Sequence, residues 1–264
     1  MATVSKKSMP AIFVGHGNPM NVIRRNKWRD GWIALGEALP RPRAILAISA
    51  HWYLPATMVT AMPHPRTIHD FGGFPKELYQ IRYPAPGDTA LAKKVREILG
   101  PLPVELDQNW GLDHGTWSVL HYIYPMADIP VVQISIDQTK PPLFHYEIGQ
   151  LLAPLRDEGI LIMGSGNIVH NLQAYEWENP EMEAFEWALR FEEKFRDLLQ
   201  SKKIEQLINY TAIGPEAGLA VPTPDHYLPL LYVLGARRKG DSVSFPIKGF
   251  DGGSMSMLTL QISA

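Results

Sequence analysis

Short, continuously apolar runs punctuate the chain: AIFVG (11–15), AILAISA (44–50), TMVTAM (57–62), IPVVQISI (129–136), ILIMGSG (160–166), SVSFPI (242–247) and a last one beginning at Ser256. Runs this short, without polar alternation, predict strands buried on both faces. Between them the spacing of apolar positions becomes helical. Residues 88–100 begin at an Asp and end at a Gly, and they put Leu91, Val95, Ile98 and Leu99 on one face. Residues 144–159 read similarly, with Pro154 placed to kink or end the helix. The longest helical stretch, 179–210, sets Phe185, Leu189, Phe195, Leu198 and Leu199 against a face of Glu, Lys and Arg. This alternation predicts an α/β fold with a central mixed, largely parallel sheet flanked by helices on both faces. It occupies residues 1–264 as a single domain. The Pro-rich region 63–86 fits neither period and predicts a long irregular loop of the kind that covers a site.

Composition narrows the partners. A chain of 264 residues, 45% hydrophobic and 20% charged, can bury a sizeable core. Lys and Arg number 25 against 27 Asp and Glu, a net charge of −2, and no basic cluster exceeds ARRKG. A nucleic-acid footprint is therefore not expected, and the partner is expected to be small. Cysteine is absent, which excludes disulfides, thiolate metal sites and Cys nucleophiles and leaves His, Asp and Glu as the strong ligands. The charged start, MATVSKKSMP, leads into no apolar leader, and no run approaches the length of a bilayer span. A soluble, cytoplasmic protein is expected.

The chain holds nine histidines, and their contexts divide them. His16 in FVGHG, His51 in AISAHW and His170 in ILIMGSGNIVH each follow an apolar run. In open α/β sheets ligands bind at the strand ends. Three histidines delivered to one edge point to a mononuclear metal site, with a rigid sheet fixing imidazoles from distant segments. His226 in TPDHYLPLL is a candidate third ligand, with Asp225 and Glu216 as carboxylate alternatives. His114 in LDHGTW enters a helix that Asp113 or Thr116 could cap. His121 reads as a structural helix residue, His145 as surface, and His64 and His69 as solvated loop positions. The GSGN stretch, 164–167, suggests an anion-binding nest at a helix start. It is neither a dinucleotide nor a Walker motif, and GxSxG is absent.

GHGNP, SAHW, DHGTW, GSGNIVHN and PDHYLPLL, taken in order over essentially the whole chain, resemble the class III extradiol ring-cleaving dioxygenases, in particular their DOPA-dioxygenase-type branch. The resemblance implies His16 and His51 as metal ligands, with His226 in the third position. It implies His114 and His170 as acid/base groups, with His170 alternatively a fourth ligand. In such relatives the third ligand is typically a glutamate, so an imidazole at His226 is a departure. An all-nitrogen set suits one divalent metal per chain, Fe(II) for catalysis or Zn(II) as bound. The implied partners are a small catechol and O2, with a muconic semialdehyde as product. The chain is expected to be a monomer or small homo-oligomer. Trp52, Tyr53, Trp110, Trp117 and Tyr227 are candidates to stack on the ring. The same histidines would also suit a zinc hydrolase or a non-catalytic metal-binding scaffold.

Overall fold

The apolar runs become strands of one sheet in a computed structural model that describes residues 8–264; the start of the charged N-terminal segment lies outside the described residues. The strands are β1 (Ala11–Gly15), β2 (Ala44–Leu54), β3 (Thr57–Thr60), β4 (Val104–Asp107), β5 (Val131–Asp137), β6 (Ile160–Gly166) and β7 (Ser242–Ile247). A two-stranded ribbon of β8 (Phe250–Asp251) and β9 (Met255–Ser256) precedes β10 (Thr259–Ser263). Eight strands form one sheet in the order β4, β3, β5, β2, β6, β1, β10, β7. β5, β2, β6 and β1 run parallel through its centre, while β3 opposes β5 and β10 opposes both β1 and β7. The sheet is mixed and mostly parallel, as expected.

The helices are α1 (Lys27–Ala38), α2 (Thr89–Leu99), α3 (His114–Ile123), α4 (Pro142–Leu152), α5 (Glu186–Gln200), α6 (Ile204–Ile208), α7 (Ala217–Ala220) and α8 (Leu228–Gly235). Along β1, Ala11 and Phe13 join one core while Ile12 and Val14 join the other. β2 repeats this with Leu46 and Ile48 against Ile45 and Ala47. The first core is closed by α2, α4, α5 and α8, the second by α1 and α3. Both faces being covered is why these strands need no polar positions. Among the described residues no helix is long and apolar enough to cross a membrane.

The structure departs from expectation at α1, β4, residues 179–210 and His145. α1 and β4 arise where no element was expected. Asn26 caps α1 by accepting the Arg29 N–H at 3.0 Å, and Trp28, Trp32 and Leu35 pack inward. Gly31 and Gly36 interrupt that helical pattern in the sequence, yet Gly36 is what lets α1 approach α3: a Cβ there would lie 2.2 Å from the Ile123 carbonyl oxygen. The stretch 179–210 is not one helix. Gly252 N–H donates to the Pro180 carbonyl at 2.7 Å and Phe185 N–H to Gly253 at 3.0 Å, so 179–185 is tied to the β8–β9 turn and α5 starts only at Glu186. Its buried stripe is Ala188, Phe191, Phe195, Leu198 and Leu199, while Leu189 faces solvent. Lys202, with φ of 57°, reverses the chain before α6. In 144–159, Pro154 does end the helix, leaving a 3-10 turn over Ala153–Glu158. Finally, His145 is fully buried rather than surface, with Nδ1 3.0 Å from the Tyr232 hydroxyl, because α4 packs that side onto α8.

Candidate metal centre

The parallel strands β1, β2 and β6 end at one edge, and each carries a histidine there or just beyond. β1 stops at Gly15, and Gly17, at φ of 60°, turns the chain sharply after His16. β2 continues past its expected end, so His51 lies within the strand. Between Ile48 and Tyr53 its pairing with β5 breaks register, a bulge that aims the imidazole off the regular pleat. His114 is the first residue of α3, capped by Asp113, whose Oδ1 accepts the Thr116 N–H at 3.1 Å. His170 lies beyond β6, where its backbone N–H donates to the Ala220 carbonyl at 2.8 Å. His226 sits just before α8.

All five line one cavity of about 210 Å³ together with Asp70, Phe71, Phe74, Trp177 and Met255. A larger groove of about 680 Å³, beside Arg24 and Trp28, contains none of them. Asp70, Phe71 and Phe74 come from the 63–86 loop, which does cover the site. Asp70 was missed by sequence reasoning; its only signal was a carboxylate inside that loop.

Acceptor groups stand beside one nitrogen of the His16, His51, His114 and His226 rings. Ser165 donates its hydroxyl hydrogen to the Gly115 carbonyl at 2.5 Å, so at 3.0 Å its Oγ accepts from His16 Nδ1. Asp70 Oδ2 lies 3.3 Å from His51 Nδ1 and 2.9 Å from His114 Nδ1. Asp70 Oδ1 accepts the backbone N–H of His114 at 2.8 Å. Asp225 Oδ2 holds His226 Nδ1 through a short contact. In the tautomers these neighbours favour, with Nδ1 protonated on both His16 and His51, the two Nε2 atoms, 3.1 Å apart, present only lone pairs to each other. Two facing lone pairs call for an electrophile shared between them. Anchoring each Nδ1 so that Nε2 is free is how proteins orient metal-binding histidines.

The rings of His16, His51 and His226 stand at nearly equal separations, with centroids 5.0, 5.2 and 5.1 Å apart. Imidazoles radiating from one ion with ~2.0–2.1 Å metal–nitrogen bonds have centroids about 5 Å apart, the spacing these three rings show. Among the described residues, the one group of donor atoms that all lie within 4.8 Å of one another is that of His16, His51 and His114, and these three could hold an ion. The His114 ring, however, is only 3.8 Å from that of His51, and His170 stacks parallel on His226 at 3.5 Å. Burial, and then mutual repulsion among the imidazoles, pushes His16, His51 and His170 well below the usual histidine range. They are neutral at pH 7, the form that binds metal or accepts a proton. Burial would raise the Asp70 carboxyl, but its contacts with His114 hold it low; Asp225 is likewise held low by His226 against burial.

Other expected contributors lie elsewhere. Trp52 stacks on Trp110 at 5.6 Å, Trp117 donates to the Ile68 carbonyl, Tyr227 donates to the Leu207 carbonyl, and Tyr53 packs at the edge of the core behind; none of the five lines the cavity. Phe71, Phe74 and Trp177 take that place. Glu216 pairs with Arg190 at 2.7 Å, away from the site. No helix starts after GSGN: Ser165 and Gly166 close β6, and Asn167 donates to the Ser256 carbonyl at 2.7 Å, so the stretch is no anion nest. His64 is exposed, His69 contacts the Ile81 carbonyl, and His121 packs against Tyr122; all three are outside the cavity.

Residues 17–250 match the model of the catalytic LigB subunit of aromatic ring-opening dioxygenase, and the chain belongs to that family of ring-opening oxygenases. LigB-family dioxygenases use a metal. Among individual relatives, the 4,5-DOPA dioxygenase extradiol of Escherichia coli (strain K12) is 51% identical, over 98% of this chain and 96% of its own length. That of Beta vulgaris is 37% identical over 93% of each chain. The crystal structure of an uncharacterized Escherichia coli K12 protein superposes with a TM-score of 0.84 at 46% identity, covering 96% of this chain and 99% of that one.

Proposed function

We propose that this enzyme opens the aromatic ring of a catechol beside one of its hydroxyl-bearing carbons, inserting both atoms of O2 to give a muconic semialdehyde. The observation that carries the reading is the set of His16, His51 and His226, each anchored at Nδ1 and equally spaced, with two further imidazoles beside them in one cavity. These three would hold the metal. Iron(II) there would supply the electron for oxygen activation and a positive charge for the two phenolic oxygens, whereas Zn(II), which the all-nitrogen set also suits, has no redox chemistry.

The remaining groups bind, orient and move protons. His170 is neutral through burial, and its ring lies against His226, so it is placed to take a phenolic proton as the catechol seats. Asp70 fixes His114 by Nδ1 and by its backbone N–H, so that this ring keeps one orientation from which to return a proton to the departing oxygen. Phe71 stands edge-on to His114 at 5.4 Å and, with Phe74, shields the reacting ring from water. The cavity, smaller than the ~300–1,000 Å³ of drug-sized sites, suits a single ring. No outside reductant is needed, because the catechol supplies the electrons and both oxygen atoms enter the product.

The test is anaerobic Fe(II) loading followed by a catechol panel and oxygen. Oxygen uptake stoichiometric with a yellow ring-opened product is expected with iron and not with zinc. Absence of product from every catechol, in protein shown to hold iron, would reject the reading.

A further inference from the structure

We infer that Asp113 is a positioning residue for this reaction: its buried carboxylate fixes how the imidazoles of His51 and His114 stand toward each other. The inference rests on the ring-opening reading, in which His51 holds the metal and His114 returns a proton. The two rings are 3.8 Å apart yet come from separate elements, β2 and α3. Asp113 joins those elements. Its side chain is fully buried and takes four donors. Oδ1 accepts the Ser49 hydroxyl at 2.6 Å and the Thr116 N–H at 3.1 Å, while Oδ2 accepts Gln133 Nε2 at 2.8 Å and Trp110 Nε1 at 3.4 Å. Capping α3 needs only the Thr116 bond, which a Ser or Asn would also make. The other donors, from β2, β5 and the loop before α3, need two accepting oxygens on one side chain, which a carboxylate supplies.

Ser49 carries this anchor to the metal side. Its Oγ gives its hydrogen to Asp113 and accepts the His51 backbone N–H at 3.3 Å. That second bond lies inside the stretch between Ile48 and Tyr53 where β2 leaves register with β5, so the bulge that aims His51 is held by the hydroxyl that Asp113 orients. The first turn of α3 packs onto the bulge with no slack: a Cβ at Gly115 would lie 2.5 Å from Ser49 Oγ and 2.9 Å from His51 Cδ2. The same turn reaches His16, because the Gly115 carbonyl accepts the Ser165 hydroxyl whose oxygen faces His16 Nδ1. Gln133 closes the assembly from β5, its Oε1 accepting the Asp113 backbone N–H at 3.2 Å. A shift of Asp113 therefore moves a metal ligand and a proton-transfer group together.

Asp113→Asn keeps an oxygen for Ser49 and Thr116 but turns an NH2 toward the Gln133 amide, so two donors meet. Adding Gln133→Glu exchanges amide and carboxylate across the pair, which restores the bonds between the two residues and the total charge. In full-length protein, Zn(II) affinity is read by competition against a chromogenic chelator, and kcat and KM on the iron-loaded enzyme with a catechol. Asp113→Asn is expected to lower Zn(II) affinity about tenfold or more and kcat toward the ~100-fold cost of a 1 Å misplacement, with KM little changed. The double variant should recover both. Ser49→Ala, which leaves the α3 cap intact, should weaken Zn(II) binding more than it lowers kcat at saturating iron. A double variant with the wild-type thermal midpoint that keeps both losses, or wild-type Zn(II) affinity in both Asp113→Asn and Ser49→Ala, overturns the inference. Should Asp113→Asn not fold, the double variant and Ser49→Ala decide it by the same readouts. The expected affinity losses in protein that opens no catechol would instead reject the ring-opening reading and leave the positioning of His51 standing.

Discussion

Asp70 is the side chain whose removal reports most on how the centre is organised. It lies 3.3 Å from His51 Nδ1 and 2.9 Å from His114 Nδ1, and it accepts the His114 backbone N–H at 2.8 Å. Asp70→Asn keeps an oxygen for the backbone N–H but turns an NH2 group toward the two rings. Neither Nδ1 then retains its acceptor, and a proton moving to Nε2 of His51 removes the lone pair that faces His16. Loss of such an orienting partner costs about 10–100-fold in metal affinity, or ~1.4–2.7 kcal/mol. Competition against a chromogenic chelator measures this directly. At saturating metal, kcat should still be reduced, because His114 loses the same anchor. The thermal midpoint serves as the control for folding. Unchanged metal affinity and unchanged kcat in a folded Asp70→Asn variant would refute the reasoning.

Other substitutions separate the roles. His16→Ala should abolish metal binding, read by metal analysis after dialysis, whereas His170→Ala should keep metal and lose turnover; equal metal loss at His170 would make it a ligand. His145 titrates far from the centre: burial lowers it from 6.5 to about 4, so between those values the unfolded chain binds a proton that the folded chain does not. Its contribution is complete above pH 6.5 and is lost as pH falls toward 4, with a slope of up to ~1.4 kcal/mol per pH unit. Urea midpoints at pH 7 and pH 5 should therefore converge in His145→Gln, and an unaltered pH dependence would contradict this. Gly36→Ala forces a Cβ to 2.2 Å from the Ile123 carbonyl oxygen, and overpacking of this kind costs ~1–3 kcal/mol, measurable by denaturant unfolding.

The sheet was legible because burial on both faces writes itself as uninterrupted apolar runs, and the edge histidines because each follows such a run. What the sequence concealed came from contacts between distant segments. His145 looked like a surface residue of a helix start, since nothing local records that α4 packs against α8. The 179–210 pattern reads as one helix because the bonds that keep 179–185 out of it come from Gly252 and Gly253, some seventy residues on. Asp70 sits in a loop with no period, so its grip on two histidines has no signature along the chain. The aromatic wall was misassigned for the same reason: Trp52, Trp117 and Tyr227 belong to local apolar patterns that turn out to be core, while Phe71, Phe74 and Trp177 come from irregular segments.

The central claim, ring opening with both atoms of dioxygen, is tested most directly by running the iron-loaded enzyme on a catechol under ¹⁸O2. The aldehyde is trapped by borohydride before it can exchange with water, and the product is weighed by mass spectrometry. Two ¹⁸O atoms in each ring-opened product are expected. A ring-opened product carrying oxygen from solvent alone, or turnover that proceeds equally with zinc in the absence of oxygen, would contradict it.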